Sequence, residues 1–199
     1  MRPRSALKQL KALLRAPSFT NQEAHHLGVS SATLGHYVKI GELERISRGI
    51  YRAPNSPPVE DFRWEDLIFT IQRIKGGVIC LVSALALYEL TEEIPRQHWI
   101  AIRNETCHRA ESATRVVRMR NISLGKSSIK IGTITVPIFD RERTIIDSFR
   151  YLSTETAIKA LKVAIHSKGN NKIDLEKIRK YAKVLHVKIE PYILSVITL

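Results

Sequence analysis

Cysteine and long apolar runs are scarce in this sequence. It has only two cysteines, Cys80 and Cys107, among 199 residues. Two cysteines cannot form the disulfide framework of a small secreted domain, so we expect both thiols to be reduced. No apolar run reaches the ~18 residues that a membrane-spanning helix needs. The basic N-terminus has no uniform apolar core, which argues against a secretory signal, so we expect a cytoplasmic protein.

Acidic residues are also few. The chain has 19 Asp and Glu against 32 Lys and Arg, which gives a formal net charge of +13. Surfaces rich in Lys and Arg bind polyanions because binding releases counterions, so nucleic acid is the leading partner. A basic membrane-surface protein is the alternative, but it should carry a long amphipathic basic helix. We therefore predict a nucleic-acid partner and no membrane partner.

Three prolines divide the chain into two parts. Pro54, Pro57 and Pro58 make a stiff, extended connector, so residues 54–60 are predicted to be a linker. Residues 1–53 form a predicted DNA-binding domain, and residues 61–199 form a larger predicted α+β domain. Residues 1–52 hold nine Lys and Arg but only three acidic residues, so the smaller domain is strongly basic.

The first domain has the pattern of a winged helix-turn-helix. Apolar spacing predicts a helix over residues 5–15. Thr20 and Glu23 form a capping box for a second helix. Ser30 is placed to cap a third helix over 31–40, which Gly41 ends. Two short strands, 43–47 and 50–52, follow around a glycine-containing turn.

This pattern indicates which residues meet DNA. The third helix would lie in the major groove with Leu34 and Val38 turned inward. Small polar and basic side chains remain on its outer face, where they can reach base edges. The hairpin arginines suit phosphates or the minor groove, and arginines before the first helix could form a minor-groove arm. The predicted DNA-binding residues are Ser31, Thr33, His36, Lys39, Arg45, Arg48, Arg52, Arg2 and Arg4.

The second domain reads as a mixed α/β arrangement with a small sheet. An amphipathic helix is predicted over 59–74, and Ser83 is placed to cap a helix over 84–90. Strands are predicted at 97–103, 115–120 and in a hairpin around Gly132, and helices over 141–150 and 153–166. Arg115, Arg118 and Arg120 form a basic strand, which is either a solvated sheet edge or a second DNA surface.

Motifs for catalysis are missing. There is no Gly-rich phosphate loop, CxxC, HExxH or nucleophile elbow, so we predict no catalytic residue, metal ligand or cofactor. Asp140, Glu142 and Asp147 leave a metal-dependent nuclease open as an alternative, since acidic residues can hold Mg²⁺. An ion pair between Arg143 and Asp147, four residues apart on a helix, is the simpler interpretation.

Four segments resemble the AbiEi-type antitoxins, the regulator half of type IV (AbiE) toxin–antitoxin systems. The string GELERISRGIYRAP at 41–54 resembles their wing, and VSALALYEL at 82–90 resembles a helix of their body. Ile94-Pro95 before WIAI at 99–102 is similar, and DRERTIID at 140–147 resembles an Arg-Thr-x-x-Asp helix.

The resemblance implies a transcriptional autorepressor that binds inverted repeats in its own promoter. It also implies a C-terminal domain that counters a nucleotidyltransferase-like toxin, without a stable complex. Binding to inverted repeats needs two heads, from a dimer or a cooperative pair on DNA. A protein-binding module and a stand-alone regulator acting through residues 59–199 remain the alternatives.

Overall fold

The computed structural model describes residues 3–57, 61–106 and 112–198, and gives residues 3–5 and 170 as backbone only. The chain divides into two compact units. The first unit consists of residues 1–75 with 130–136, and the second of residues 76–129 with 137–199. The predicted boundaries at 53 and 61 remain a prediction, and residues 58–60 of the predicted linker lie outside the described residues.

The first unit begins with three helices and a small sheet. The helices are α1 (Pro3–Gln9), α2 (Asn21–His26) and α3 (Ser31–Lys39). The strands are β1 (Phe19–Thr20), β2 (Glu44–Ser47) and β3 (Ile50–Arg52). Strand β3 lies between β1 and β2 and pairs antiparallel with both. Helix, helix, turn, helix and hairpin follow in the order of a winged helix-turn-helix.

Local capping explains where α2 and α3 begin. The Thr20 hydroxyl accepts a hydrogen bond from the Glu23 N–H at 3.1 Å, and the Glu23 carboxylate accepts from the Thr20 N–H at 2.6 Å. This is the predicted capping box. The Ser30 hydroxyl accepts from the Thr33 N–H at 3.2 Å, as predicted for α3. Gly49 adopts a φ of +80° in the β2–β3 turn, where glycine avoids a steric penalty.

The predicted helix over 5–15 differs in its second half. Helix α1 ends at Gln9, and the chain continues through a turn into a 3-10 turn at Leu13–Arg15. Hydrogen bonds there span three residues, as in Ala16 N–H to the Leu13 carbonyl, which tightens the chain before Pro17. The apolar spacing still serves the core, because Ala6 and Leu10 are buried with Phe19 and Leu34.

Helix α4 (Glu65–Arg73) completes the first unit and is shorter than the predicted helix over 59–74. A separate 3-10 turn, Phe62–Trp64, precedes it because the Asp61 carboxylate caps that turn by accepting from the Arg63 N–H at 3.2 Å. The Ser18 hydroxyl also donates to Gln72 Oε1 at 3.1 Å, which joins α4 to the chain before β1.

The second unit holds most of a mixed sheet with the strand order β6-β5-β4-β8-β7, and residues 130–136, around the β7–β8 turn, are grouped with the first unit. The strands are β4 (Val78–Ile79), β5 (His98–Ile102), β6 (Thr114–Arg118), β7 (Lys126–Ile131) and β8 (Ile134–Phe139). Strand β4 pairs antiparallel with β5 and parallel with β8, and β5 pairs parallel with β6. The basic strand β6 therefore lies at an edge of the sheet.

The second unit also has five helices that pack on one another: α5 (Leu81–Leu87), α6 (Arg141–Tyr151), α7 (Thr154–His166), α8 (Leu175–Leu185) and α9 (Glu190–Ile197). Their apolar faces share a core that includes Leu85, Ile145, Leu161 and Ile193. The α+β fold class is confirmed, with a winged helix-turn-helix followed by a mixed α/β part.

The predicted cap at Ser83 is wrong. Helix α5 begins two residues earlier, at Leu81, and its N-cap residue Cys80 makes no side-chain capping bond. The Ser83 hydroxyl instead accepts a hydrogen bond from the Trp99 N–H at 2.9 Å, which fixes α5 against β5. Ser83 is fully buried, and a buried hydroxyl group needs a hydrogen-bond partner, which the Trp99 N–H provides.

Candidate nucleic-acid interface

Helix α3 has one buried face and one exposed face. Leu34 and Tyr37 are buried and Val38 is half-buried, which matches the predicted inward side. His36 and Lys39 are exposed. The centre of the His36 ring lies 5.9 Å from that of the buried Tyr37 ring, with the two planes tilted by 52°. The exposed side therefore presents polar and basic groups, which are side chains of the kind that contact base edges in the major groove.

Ser31 and Thr33 are held by hydrogen bonds within the helix pair. Ser31 Oγ lies 3.0 Å from both Asn21 Nδ2 and His25 Nε2, which come from α2. Thr33 Oγ1 lies 2.9 Å from Ser30 Oγ. Both hydroxyls lie at the first turn of α3, and that of Ser31 fixes this turn relative to α2. Sequence reasoning gave Ser31 a base-reading role but did not identify the bridge to Asn21 and His25.

The three wing arginines differ in their partners. Arg52 pairs with Glu44 across β2 and β3, with 2.7 Å between Nε and Oε2. Arg45 Nε donates to the Ser47 carbonyl at 3.4 Å, a long bond in an exposed position. Arg48 is exposed in the turn and forms no hydrogen bond or ion pair with any residue that the structure describes. Its guanidinium is therefore the most readily available of the three to an external anion.

A cleft of about 380 Å³ adjoins this turn within the first unit. Arg48 and Gly49 line one part of it, and Gln72, Arg73 and Lys75 line another. Thr20, Asn21, Gln22 and His25, at the start of α2 and near its end, line the rest. The cleft thus brings cations from the wing together with cations from the end of α4. Arg73 and Lys75 were missed by the sequence reasoning, because nothing local to α4 indicates that it packs beside the wing.

The predicted N-terminal arm is not described. Arg2 lies outside the described residues, and only the backbone of Arg4 is given, within α1. Helix α1 begins at Pro3, two residues before the predicted start, so Arg4 does not precede the first helix as predicted. Contact of Arg2 and Arg4 with DNA stays a prediction.

The acidic residues that left a nuclease open are all engaged by donors. Asp140 caps α6, and its carboxylate also accepts from the Tyr181 hydroxyl at 2.9 Å. Glu142 accepts from the Asp174 N–H at 3.0 Å and lies 3.1 Å from Lys177 Nζ. The expected Arg143–Asp147 pair is confirmed at 2.7 Å. Across residues 3–57, 61–106 and 112–198, no group of three or more His, Cys, Asp or Glu could hold a metal ion.

The described helices include none that is long and apolar enough to cross a bilayer.

Comparison with known proteins supports the resemblance in the first unit. Residues 8–54 match the model of a family described as "Transcriptional regulator, AbiEi antitoxin". The match includes α2, α3 and the whole wing, and its description names a regulator rather than an enzyme. The resemblance to AbiEi-type antitoxins is confirmed over these residues. No curated protein matches the chain.

A solved structure is similar in fold over the second unit as well as the first. The structure described as "Crystal structure of RV2827C protein from Mycobacterium tuberculosis" is similar, with a TM-score of 0.54. The alignment covers 92 % of this chain and 72 % of that chain, at 14 % sequence identity. At this identity the likeness concerns the fold alone.

Proposed function

We propose that this protein is a DNA-binding transcriptional autorepressor and antitoxin of a type IV toxin–antitoxin system. The observation that carries the proposal is the pairing of an exposed, polar α3 face with a wing turn whose Arg48 has no partner among the described residues. Both lie within the segment that matches the AbiEi regulators.

In this mechanism α3 enters the major groove of the protein's own promoter. His36 and Lys39 contact base edges, together with Thr33 near the start of the helix. Ser31 holds that start against α2 through Asn21 and His25. The wing arginines Arg45, Arg48 and Arg52, with Arg2 and Arg4 at the N-terminus, bind phosphates or the minor groove.

Arg48 is the phosphate contact we expect to matter most. Arg52 already pairs with Glu44, so a phosphate must compete with that carboxylate. Arg48 has no such competitor in the described part of the chain and lies in the same cleft as Arg73 and Lys75. The cleft therefore adds two cations to the proposed phosphate-binding surface.

The operator is proposed to be an inverted repeat. Two copies of α3 then read the two half-sites, either in a preformed dimer or as a cooperative pair on DNA. The second unit is proposed to counter a nucleotidyltransferase-like toxin in the cytoplasm without a stable complex. We propose no catalytic activity and no cofactor for the chain.

Fluorescence anisotropy tests the DNA-binding role. The protein is titrated into labelled DNA from immediately upstream of the gene and, separately, into a labelled random duplex, each at two salt concentrations. We expect tight, salt-sensitive binding that prefers the upstream DNA. Arg48→Ala should weaken binding to both DNAs and reduce the salt slope by about one. His36→Ala should mainly weaken binding to the upstream DNA, by roughly five- to a hundredfold.

Lys162→Ala is the matched control, because Lys162 is exposed on α7 in the second unit and its loss removes the same charge. An Arg48→Ala titration equal to that of the control would remove the wing from the mechanism. Equal losses on both DNAs for His36→Ala would contradict base reading.

Co-expression with the product of the neighbouring gene tests the antitoxin role. We expect growth to be rescued by the wild type and by Arg48→Ala, because the toxin is countered by the second unit. Failure of the wild type to rescue growth would refute the antitoxin role and leave a stand-alone regulator. Recovery of a stable complex on purification would favour the protein-binding alternative.

A further inference from the structure

A cleft of about 420 Å³ in the second unit is lined by four arginines: Arg118, Arg120, Arg143 and Arg150. Arg118 ends the edge strand β6, Arg120 lies two residues beyond it, and the other two belong to α6. No acidic side chain of the described residues lines this cleft. The proposed DNA-binding face does not include it, because all of its lining residues belong to the second unit.

The positive charge of the cleft is only partly neutralised. Asp147 is fully buried and receives Arg143 Nε at Oδ2 and Arg150 Nη1 at Oδ1, both at 2.7 Å. One carboxylate therefore serves two guanidinium groups. Among the residues that the structure describes, Arg118 makes one hydrogen bond, a long one to the Thr106 carbonyl at 3.4 Å. Arg120 is exposed and has no hydrogen bond or ion pair within the described residues.

The buried Arg143 acts as a fixed support for this arrangement. Its Nη1 donates to the carbonyls of Asn121 and Leu124, each at 2.9 Å, in the connection that follows β6. The connection is thereby tied to α6, which keeps Arg120 near Arg150 in the cleft wall. Such convergence of guanidinium groups on one pocket is typical of phosphate recognition.

Apolar and aromatic groups stand beside the arginines. Tyr151 and Val184 line the same cleft and are 39 % and 50 % exposed, although hydrophobic residues of this kind are usually buried. The Arg150 guanidinium lies 5.0 Å from the centre of the Tyr151 ring, which holds the ring beside the charged part. An exposed aromatic ring next to arginines offers a stacking surface for a base.

His186 completes the wall in an unusual conformation. It follows α8 with a φ of +57°, a left-handed position that usually favours glycine. Histidine is one of the residues that tolerates this region better than most, and its ring adds a hydrogen-bonding group to the cleft.

We propose that this cleft binds a nucleotide unit. Its phosphate lies among Arg118, Arg120 and Arg150, and its base lies against Tyr151 and Val184. The ligand is either a free nucleotide or a nucleotide within a single nucleic-acid strand, since both present the same phosphate and base. Duplex DNA is not expected here, because its stacked bases cannot reach an aromatic side chain.

Fluorescence anisotropy with two probes tests the proposal on the full chain. One probe is ADP carrying an N-methylanthraniloyl label, and the other is a fluorescein-labelled single-stranded octauridylate. We expect at least one probe to bind the wild type, and inorganic pyrophosphate to compete with it. Binding of the labelled ADP identifies a free nucleotide as sufficient, whereas binding of the octauridylate alone identifies a strand.

Three variants separate the cleft from general attraction between charges. Arg120→Glu should lower the affinity for the probe that binds by tenfold or more. Lys162→Glu should have little effect on that affinity, because Lys162 is exposed and lies outside this cleft. Tyr151→Ala should lower the affinity for the probe by about tenfold, because the base loses its stacking surface. The inhibition constant of pyrophosphate should stay unchanged, because pyrophosphate has no base. Circular dichroism confirms folding, and Arg120 has no described partner to lose.

Promoter binding is measured on the same samples. Arg120→Glu should retain it, and Arg48→Ala should retain binding of the probe, so the two sites fail separately. The proposal is overturned if neither probe binds the wild type. It is also overturned if Arg120→Glu and Lys162→Glu lower the affinity for the probe equally, because the charge of the whole chain then accounts for binding.

Discussion

Removal of the Asp147 carboxylate should destabilise the second unit by about 3–5 kcal/mol. The side chains of Arg143 and Asp147 are 1 % and 0 % exposed, and their charged atoms lie 2.7 Å apart. In Asp147→Ala, Arg143 keeps its bonds to the carbonyls of Asn121 and Leu124 but loses its counter-ion. The cost is therefore mainly that of a buried positive charge without compensation.

Urea unfolding followed by tryptophan fluorescence measures this cost. The chain has two tryptophans, Trp64 in the first unit and Trp99 in the second. In a Trp64→Phe background, Trp99 alone reports on the second unit. With a denaturant slope of about 2 kcal/mol per M, a loss of about 4 kcal/mol lowers the unfolding midpoint by about 2 M. Asp147→Asn keeps one oxygen acceptor and should cost less.

The second unit also supplies a control with the same spacing. Glu155 and Lys159 form a pair four residues apart on α7, but their side chains are 75 % and 74 % exposed. Glu155→Ala should leave the midpoint essentially unchanged, because exposed pairs contribute little. If Asp147→Ala is as stable as Glu155→Ala, the structural role of the buried pair is refuted. Loss of a Mg²⁺-dependent cleavage activity in that folded variant would instead support the nuclease alternative.

Three further predictions concern single positions. Thr20→Ala should destabilise the first unit by about 0.5–2 kcal/mol, measured by Trp64 fluorescence during urea unfolding in a Trp99→Phe background, because the capping box is lost; no change would refute the role of the cap. Gly125→Ala should cost about 2–4 kcal/mol in the Trp99 assay, because φ is +67° and a Cβ atom would lie 2.6 Å from Arg143 Cβ; an unchanged midpoint would show that this approach relaxes freely. Burial, with a smaller effect of Asp147, raises the pKa of the Cys80 thiol, so in a Cys107→Ser background labelling by a thiol reagent at mildly alkaline pH should require unfolding; labelling faster than unfolding would contradict this.

Most of the first unit could be predicted from sequence because its signals are local. The capping box at Thr20 and the cap at Ser30 involve residues only three positions apart. Gly41 and Gly49 mark turns through a positive φ that their own backbone requires. The inward side of α3 follows from its period. Each signal needs no knowledge of distant contacts, and each is present in the structure.

Tertiary contacts account for what the sequence could not indicate. A serine before an apolar helix is a good N-cap by local rules, but Ser83 bonds to Trp99, sixteen residues away. In the same way, the apolar side of α4 predicts burial without naming its neighbour. Arg73 and Lys75 become candidates for the DNA-binding surface only once the chain brings them to the cleft of Arg48.

The DRERTIID segment shows why residue types alone leave function open. Three acids within eight residues suit a metal site, yet each acid here meets a cation or a hydrogen-bond donor. What decides between the two roles is the set of cations that surrounds the carboxylates. Arg143 and Arg150 each pair with one oxygen of Asp147, so this carboxylate is already neutralised by cations. The same two arginines line the adjoining cleft and give it positive charge. The helix whose sequence suggests a cation site therefore lines, in the fold, the cleft for which we propose a phosphate.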